Sequence, residues 1–352
     1  MRRKHFLIVR IGGIGDVVMG SAAARRLRDE YPGARITWLT GSGASPLVGR
    51  MADVDDVIVV DERRLLTGGI SGASAVLPPL WRRLIRERIT HVLMLHLDRR
   101  YRVLTAPLLG ARVLSLERGV NPLAGRYFGD ECARLIDGLV SSGRPIESAT
   151  GAQHYPLARI RDQHARVPRE RPIVALIPGG ARNVLREDQL RRWPVTHYAA
   201  VAASLADRAD VVLLGDKGDD WVRPAFSNSP ATDLIGAMSL SDTLDYLRSC
   251  ALVISHDTGP MHLARLVETP LLAVFGPTDP AERLVADTRT TAIWGGAELA
   301  CRPCYDGRNF AACSDNACMS SVSVELVVAT ASRMLAAARP TPSLRSTETF
   351  AS

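Results

Sequence analysis

Short apolar runs of strand length alternate with helix-length segments along this chain, and the alternation starts over once near its middle. Nothing else in the sequence restricts the fold as much, because strands separated by helices pair in parallel and need helices on the faces of their sheet. The first run, Phe6 to Ile11, enters a glycine-rich turn and a helix from about Asp16 to Tyr31, which Pro32-Gly33 stops. Strands are expected at Ile36–Leu39, Val57–Val60, His91–Leu95 and Arg112–Leu116. After residues 151–172, a basic, proline-containing stretch poor in apolar runs, the rhythm resumes. Strands Ile173–Ile177, Val211–Leu214, Leu252–Ile254 and Leu271–Phe275 follow, with helices over Val195–Arg208 and Asp242–Arg248, the second capped by Ser241, and a further helix ending near Val267.

The reading is α/β, with two Rossmann-like domains facing a central cleft. One spans 1–160 and the other 171–338, and residues 339–352 form a tail expected to be disordered. A chain of 352 residues is long enough for two cores, and 46% hydrophobic against 23% charged residues is a globular balance. The formal charge of +7, mostly arginine, suits an anionic partner, although stretches such as residues 81–88 (WRRLIRER) also read as a solvated helix face. The apolar run behind the basic start is too short for a signal peptide and meets Gly12 and Gly13, and no stretch reaches spanning length, so a cytoplasmic enzyme is expected.

Ligands in such sheets bind beyond the C-terminal strand ends, where three loops draw notice. In Arg10-Ile-Gly-Gly-Ile-Gly-Asp16 the glycines allow close backbone approach, and Asp16 lies near a helix N-terminus, where it either serves chemistry or only caps the helix. A dinucleotide fingerprint fails on spacing and on the lack of an acidic residue after Trp38-Leu-Thr-Gly-Ser42, and no phosphate loop of the G-x-x-x-x-G-K-[ST] kind occurs. In Ser255-His-Asp-Thr-Gly-Pro-Met-His262, Pro260 suits the first helical position with Gly259 as cap, leaving the Met261 and His262 amides to form an anion site. The alternative is that Asp257, Thr258 and His262 merely satisfy a buried turn. Phe275-Gly-Pro-Thr-Asp-Pro280 should lie beside that loop at the same sheet edge.

Residues 10–16 (RIGGIGD), 254–264 (ISHDTGPMHLA) and 274–280 (VFGPTDP), in this order, resemble the signatures of glycosyltransferase family nine, the ADP-heptose heptosyltransferases. The resemblance implies a GT-B fold, with the acceptor held by the first domain and the nucleotide sugar by the second. It implies Asp16 as general base, and Asp257, Thr258, Gly259 and His262 as the donor loop. It also places Arg191, in residues 191–194 (RRWP), where members carry a lysine that reaches the donor phosphates, and Asp219 near the position that holds the donor ribose. Arginine presents a planar fork where lysine presents a point charge. The implied activity is inverting, metal-independent transfer of heptose or a related sugar from ADP-heptose to a lipopolysaccharide core or another cell-surface acceptor. No cofactor is implied for catalysis.

Arg63 and Arg64, and Arg99 and Arg100, follow strands of the first half and could dock an anionic glycolipid acceptor, or be solvated loop charge. The acceptor implies peripheral contact with the cytoplasmic face of the inner membrane. Four of the six cysteines cluster as Cys301-x2-Cys304-x8-Cys313-x4-Cys318, which suggests structural zinc or iron, with a reduced or disulfide-stapled loop as the alternative. The adhesin-modifying branch of the family resembles an iron-binding version. Competing readings are heptosyl transfer to an adhesin or natural product, and a catalytically silent nucleotide-sugar-binding protein, against which Asp16 argues. A nucleic-acid partner is not expected, since aromatic residues make up only 5% and no recognition motif occurs.

Overall fold

The structure, a computed structural model, describes residues 3–117, 122–140, 154–161, 170–182, 185–306 and 309–337. The tail after 338 and the middle of the expected connection, at 162–169, lie outside the described residues.

In the first half, β1 (His5–Val9), β2 (Arg35–Gly41), β3 (Asp56–Val60), β4 (His91–Met94) and β5 (Arg112–Ser115) form one sheet in the order β3-β2-β1-β4-β5, every pair parallel. The second sheet runs β11-β10-β9-β6-β7-β8 from β6 (Ile173–Ile177), β7 (Asp210–Leu213), β8 (Thr232–Asp233), β9 (Leu252–His256), β10 (Leu271–Phe275) and β11 (Thr290–Trp294), again all parallel. Central strands β1, β6, β9 and β10 are buried at every position, as their near-continuous apolar sequences require when helices cover both faces. The expected two-sheet α/β architecture is therefore present.

Helices α1 (Ile14–Glu30), α2 (Ser45–Gly49), α3 (Glu62–Thr67), α4 (Gly69–Arg86), α5 (Phe128–Arg134) and α6 (Asp137–Val140) accompany the first sheet. Those of the second half are α7 (Val195–Leu205), α8 (Leu240–Ser249), α9 (Gly259–Leu266), α10 (Pro280–Arg283), α11 (Ala317–Ser320) and α12 (Val324–Ala337). Two caps differ from the expectation. Helix α8 starts earlier, with Ser239 as N-cap in a capping box with Asp242, because Ser239 is the residue whose hydroxyl reaches the third amide. In α9 the N-cap is Thr258, so Gly259 is already helical and Pro260 follows it.

The halves meet along α1 and α9, which pack on one another. A continuous apolar cluster joins Val18 and Leu47 of the first half to Val253, Met261 and Leu263 of the second. A buried arginine crosses the same seam: Arg50, 4% exposed, places its terminal nitrogens 2.7 and 3.1 Å from the Asp245 carboxylate and donates to the Ser241 hydroxyl at 2.9 Å. The segment 154–161 lies against the first half. Ile160 bridges Met51, and Arg159 caps the fully buried Asp53, whose carboxylate would otherwise be an uncompensated charge.

Candidate active site

A cleft of about 630 Å³ opens between the C-terminal edges of the two sheets, a size suited to a small organic ligand. Its first wall is the turn from β1 into α1. Gly12 has φ +120, a conformation closed to most side chains, and lets the chain leave β1 and enter α1 within a few residues. The Arg10 guanidinium donates to the Leu95 carbonyl and holds the Asp16 carboxylate at 2.6 Å. Burial opposes ionisation of Asp16, but the charges of Arg10 and Arg283, a hydrogen bond from Arg10, and nearby His262 outweigh it, so its pKa lies below the ordinary carboxylate value. Its side chain remains 38% accessible from the cleft. Asp16 is thus an anion anchored by an ion pair and still open to a ligand.

His96 and Tyr101 complete this wall. The Ile11 amide donates to His96 Nε2 at 2.9 Å, which fixes that nitrogen as an acceptor, and the imidazole stacks on Tyr101 with centroids 3.7 Å apart. Burial, reinforced by Arg10, drives the His96 pKa well below 6.5, so the ring is neutral. Glu62, at the start of α3, is buried with its carboxyl over Gly41 and Gly43, and Oε2 has no hydrogen-bond partner. Burial raises its pKa against a hydrogen bond from the Gly12 amide. Sequence reasoning missed all three residues. His96 and Glu62 each stand just past the end of a strand, after β4 and β3, and that position is the signal that could have found them.

The opposite wall is built at the ends of β6, β9 and β10. Asp257 receives the Thr278 hydroxyl at 2.9 Å and the Arg191 guanidinium at 3.4 Å. Burial alone would raise its pKa, but Arg191 and Arg283 bring it down to about 2. Thr258 accepts a hydrogen bond from the Ala181 amide at 2.9 Å and fills the space where a side chain on Gly180 would sit. His262 is driven by burial to about 4, against the pull of Asp257, so it is neutral near pH 7. Arg191 also pairs with Asp188 at 2.9 Å. Asp219 lines the cleft, yet its oxygens accept from the Gly180 amide, Arg182 and the Asp216 amide, so they hold three loop segments together.

The two walls touch. A Cβ on Gly15 would stand 2.6 Å from the His262 ring, and one on Gly259 would stand 3.2 Å from Ile14 Cβ. The glycine-rich turn and the second-half loop, more than two hundred residues apart in sequence, therefore face one another across the cleft. Asp16, Arg191, Asp219, Asp257, Thr258, Gly259 and His262 all line it. Arg63, Arg64, Arg99 and Arg100 do not: they are exposed outside the lining, and Arg100 is paired with Asp98. Their sequence neighbours Glu62, Leu66 and Tyr101 form the wall instead.

The cysteine cluster does not support the expected metal site. None of the six cysteines forms a disulfide, and among the described residues no three ligating side chains converge as a metal ion would require. The Cys313 sulfur accepts a hydrogen bond from the Asn316 amide at 3.3 Å, while Cys318 is buried against Gly276 and Gly296. Burial pushes the Cys304 and Cys318 thiols upward, away from the thiolate form. The disulfide alternative is likewise not formed.

The family model for glycosyltransferase family 9 (heptosyltransferase) matches residues 146–313, which carry the Asp257–His262 loop. The chain is 25% identical over 313 residues to a lipooligosaccharide heptosyltransferase 2 from Haemophilus influenzae, covering 78% of this chain and 84% of that protein. It superposes on a solved family 9 glycosyl transferase from Veillonella parvula with TM-score 0.74 at 16% identity, covering 95% and 97% of the two chains. It also superposes on the Escherichia coli ADP-heptose lipopolysaccharide heptosyltransferase II with TM-score 0.70 at 19% identity, covering 95% and 99%. The fold is that of the GT-B heptosyltransferase structures. With the paired loops in place on one cleft, residues 146–313 carry a match to the glycosyltransferase family 9 (heptosyltransferase) model, and the chain is a glycosyltransferase.

Proposed function

We propose that this enzyme transfers heptose from ADP-heptose to the lipopolysaccharide core, by a single displacement that inverts the anomeric carbon and needs no catalytic metal. The observation that carries the reading is the meeting of an anchored, accessible carboxylate, Asp16, with a loop of helix-start amides and cations across one cleft. The names of the curated relatives point to the same transfer.

In this reading an acceptor hydroxyl held by the first half attacks the anomeric carbon. The new carbon–oxygen bond forms as the bond to the β-phosphate oxygen breaks. The hydroxyl proton passes to Asp16, and the electron pair leaves with ADP. Arg10 keeps the carboxylate ionised and oriented. The Gly259, Met261 and His262 amides at the start of α9, together with Arg191, face the departing diphosphate. Asp257 orients Arg191, Thr258 fixes the loop against Ala181, and Asp219 supports the ribose side through the loops it joins.

The acceptor is an anionic glycolipid, with Arg63, Arg64, Arg99 and Arg100 available to its outlying charges. Residues 1–160 form the acceptor domain and 171–338 the donor domain, a division favoured by the bonds of 154–161 to the first half. Among the described residues no helix is long and apolar enough to cross a membrane, and we place the enzyme in the cytoplasm, at the inner face of the inner membrane.

Thermal unfolding of the protein with a panel of nucleotide sugars tests the donor. ADP-heptose should raise the melting temperature more than UDP-, GDP- or CDP-sugars. A preference for another nucleotide would remove ADP-heptose from the reading.

A further inference from the structure

The cationic side chains of the cleft are unequal in one respect. Among the lining arginines, Arg10 is paired with Asp16, Arg182 with Asp216 and Asp219, Arg186 with Asp188, and Arg191 with Asp188 and Asp257. Arg283 also lines the cleft, and among the described residues it has no carboxylate partner and no side-chain hydrogen bond. Its Nε is shut off from solvent without an acceptor. A guanidinium carries five donors and cannot shed its charge, so such a group beside a cavity has unsatisfied demand for an anion.

The position of Arg283 narrows which anion. It ends α10, which follows the Gly276–Asp279 loop at the C-terminal end of β10, next to β9 in the sheet. Its guanidinium carbon lies 5.7 Å from the centre of the Tyr305 ring, a contact that restrains the fork without using its donors. It lines the cleft together with Asp16 of the first wall and Asp257 and His262 of the second, and its charge acts on all three. The same sheet edge supplies the α9 amides. Arg191, by contrast, already shares its charge between two carboxylates and offers a phosphate less.

We propose that Arg283, which has no carboxylate partner among the described residues, binds the β-phosphate of the donor's diphosphate and neutralises the charge gathering on the oxygen released when the glycosidic bond breaks. This rests on the nucleotide-sugar reading above and adds a catalytic residue to it. An acid group on the acceptor is the other anion that could reach this guanidinium, and it has no β-phosphate.

The test compares ADP with AMP by calorimetry, on the full chain and on Arg283→Gln and Arg283→Lys. Loss of a charged contact should weaken ADP about ten- to hundredfold in Arg283→Gln, with AMP changed by less than about threefold and Arg283→Lys recovering part of the loss. A general disturbance of the cleft would weaken both nucleotides, so equal losses would overturn the assignment, as would unchanged ADP binding. Wild-type protein that binds UDP, GDP or CDP in place of ADP would overturn the ADP donor but not Arg283, which is then read on that diphosphate and its monophosphate. Wild-type protein that binds no nucleoside diphosphate would overturn both.

Discussion

Gly15 and His262 approach so closely that a single methyl group on Gly15 would stand 2.6 Å from the imidazole. The contact sets the spacing between the two walls of the cleft, because Gly15 belongs to the first turn of α1 and His262 to the first half of α9. Gly15→Ala should improve helix propensity locally yet destabilise the protein by about 1–3 kcal/mol through overpacking. His262→Ala should relieve that cost, so the double variant should be more stable than the sum of the single effects. Additive effects in denaturant unfolding would mean that the walls do not meet as described.

Acid should unfold the protein in a graded way. His262 and His256 are kept neutral by burial, at about 4 and about 3. An unfolded chain takes up these protons near pH 6.5, so stability falls as pH drops from there toward the folded values. Asp257, held at about 2, adds a second loss of roughly 2 kcal/mol between its ordinary value and pH 2. Unfolding free energies measured from pH 7 to 4.5 should decline, and His262→Gln should flatten the slope. A flat profile for the wild type would refute the buried-neutral assignment.

Much of this site is legible in the sequence. The strands that bear it are central to their sheets and wholly buried, so the apolar runs of β1, β6, β9 and β10 mark their positions to within a residue or two, and the loops after them have to share one edge. Strands β8 and β11 leave no comparable trace: the first is two residues long, and the second, an edge strand, keeps polar Thr290 and Thr291. Pairing between distant side chains is not readable either. Arg10 with Asp16, and Arg283 left without a carboxylate among the described residues, are consequences of three-dimensional placement and have no signature in spacing. The four clustered cysteines have metal-like spacing, but the Cys313 and Cys318 sulfurs are engaged with Asn316, and among the described residues no three ligating side chains converge.

Those thiols should therefore react individually. Cys301 and Cys313 are exposed and should be modified first by a small thiol reagent in native protein. Cys132, Cys250 and Cys318 are buried and should wait for unfolding. Protection of Cys301, Cys304, Cys313 and Cys318 as one block, released together by a chelator or reductant, would contradict this arrangement.

Leaving-group stabilisation by fixed amides and guanidinium groups predicts that transfer activity survives EDTA. An immediate loss restored by magnesium, with circular dichroism unchanged, would transfer that role to a divalent cation.

In the proposed reaction Asp16 takes the proton while the other half of the cleft holds the nucleotide. Turnover and ADP affinity measured side by side for wild type and Asp16→Asn test it most directly. Turnover should fall by about 10²–10⁴-fold in Asp16→Asn, with ADP affinity within about threefold of wild type. Near-normal turnover, or a loss of ADP binding that matches the loss of activity, would contradict it.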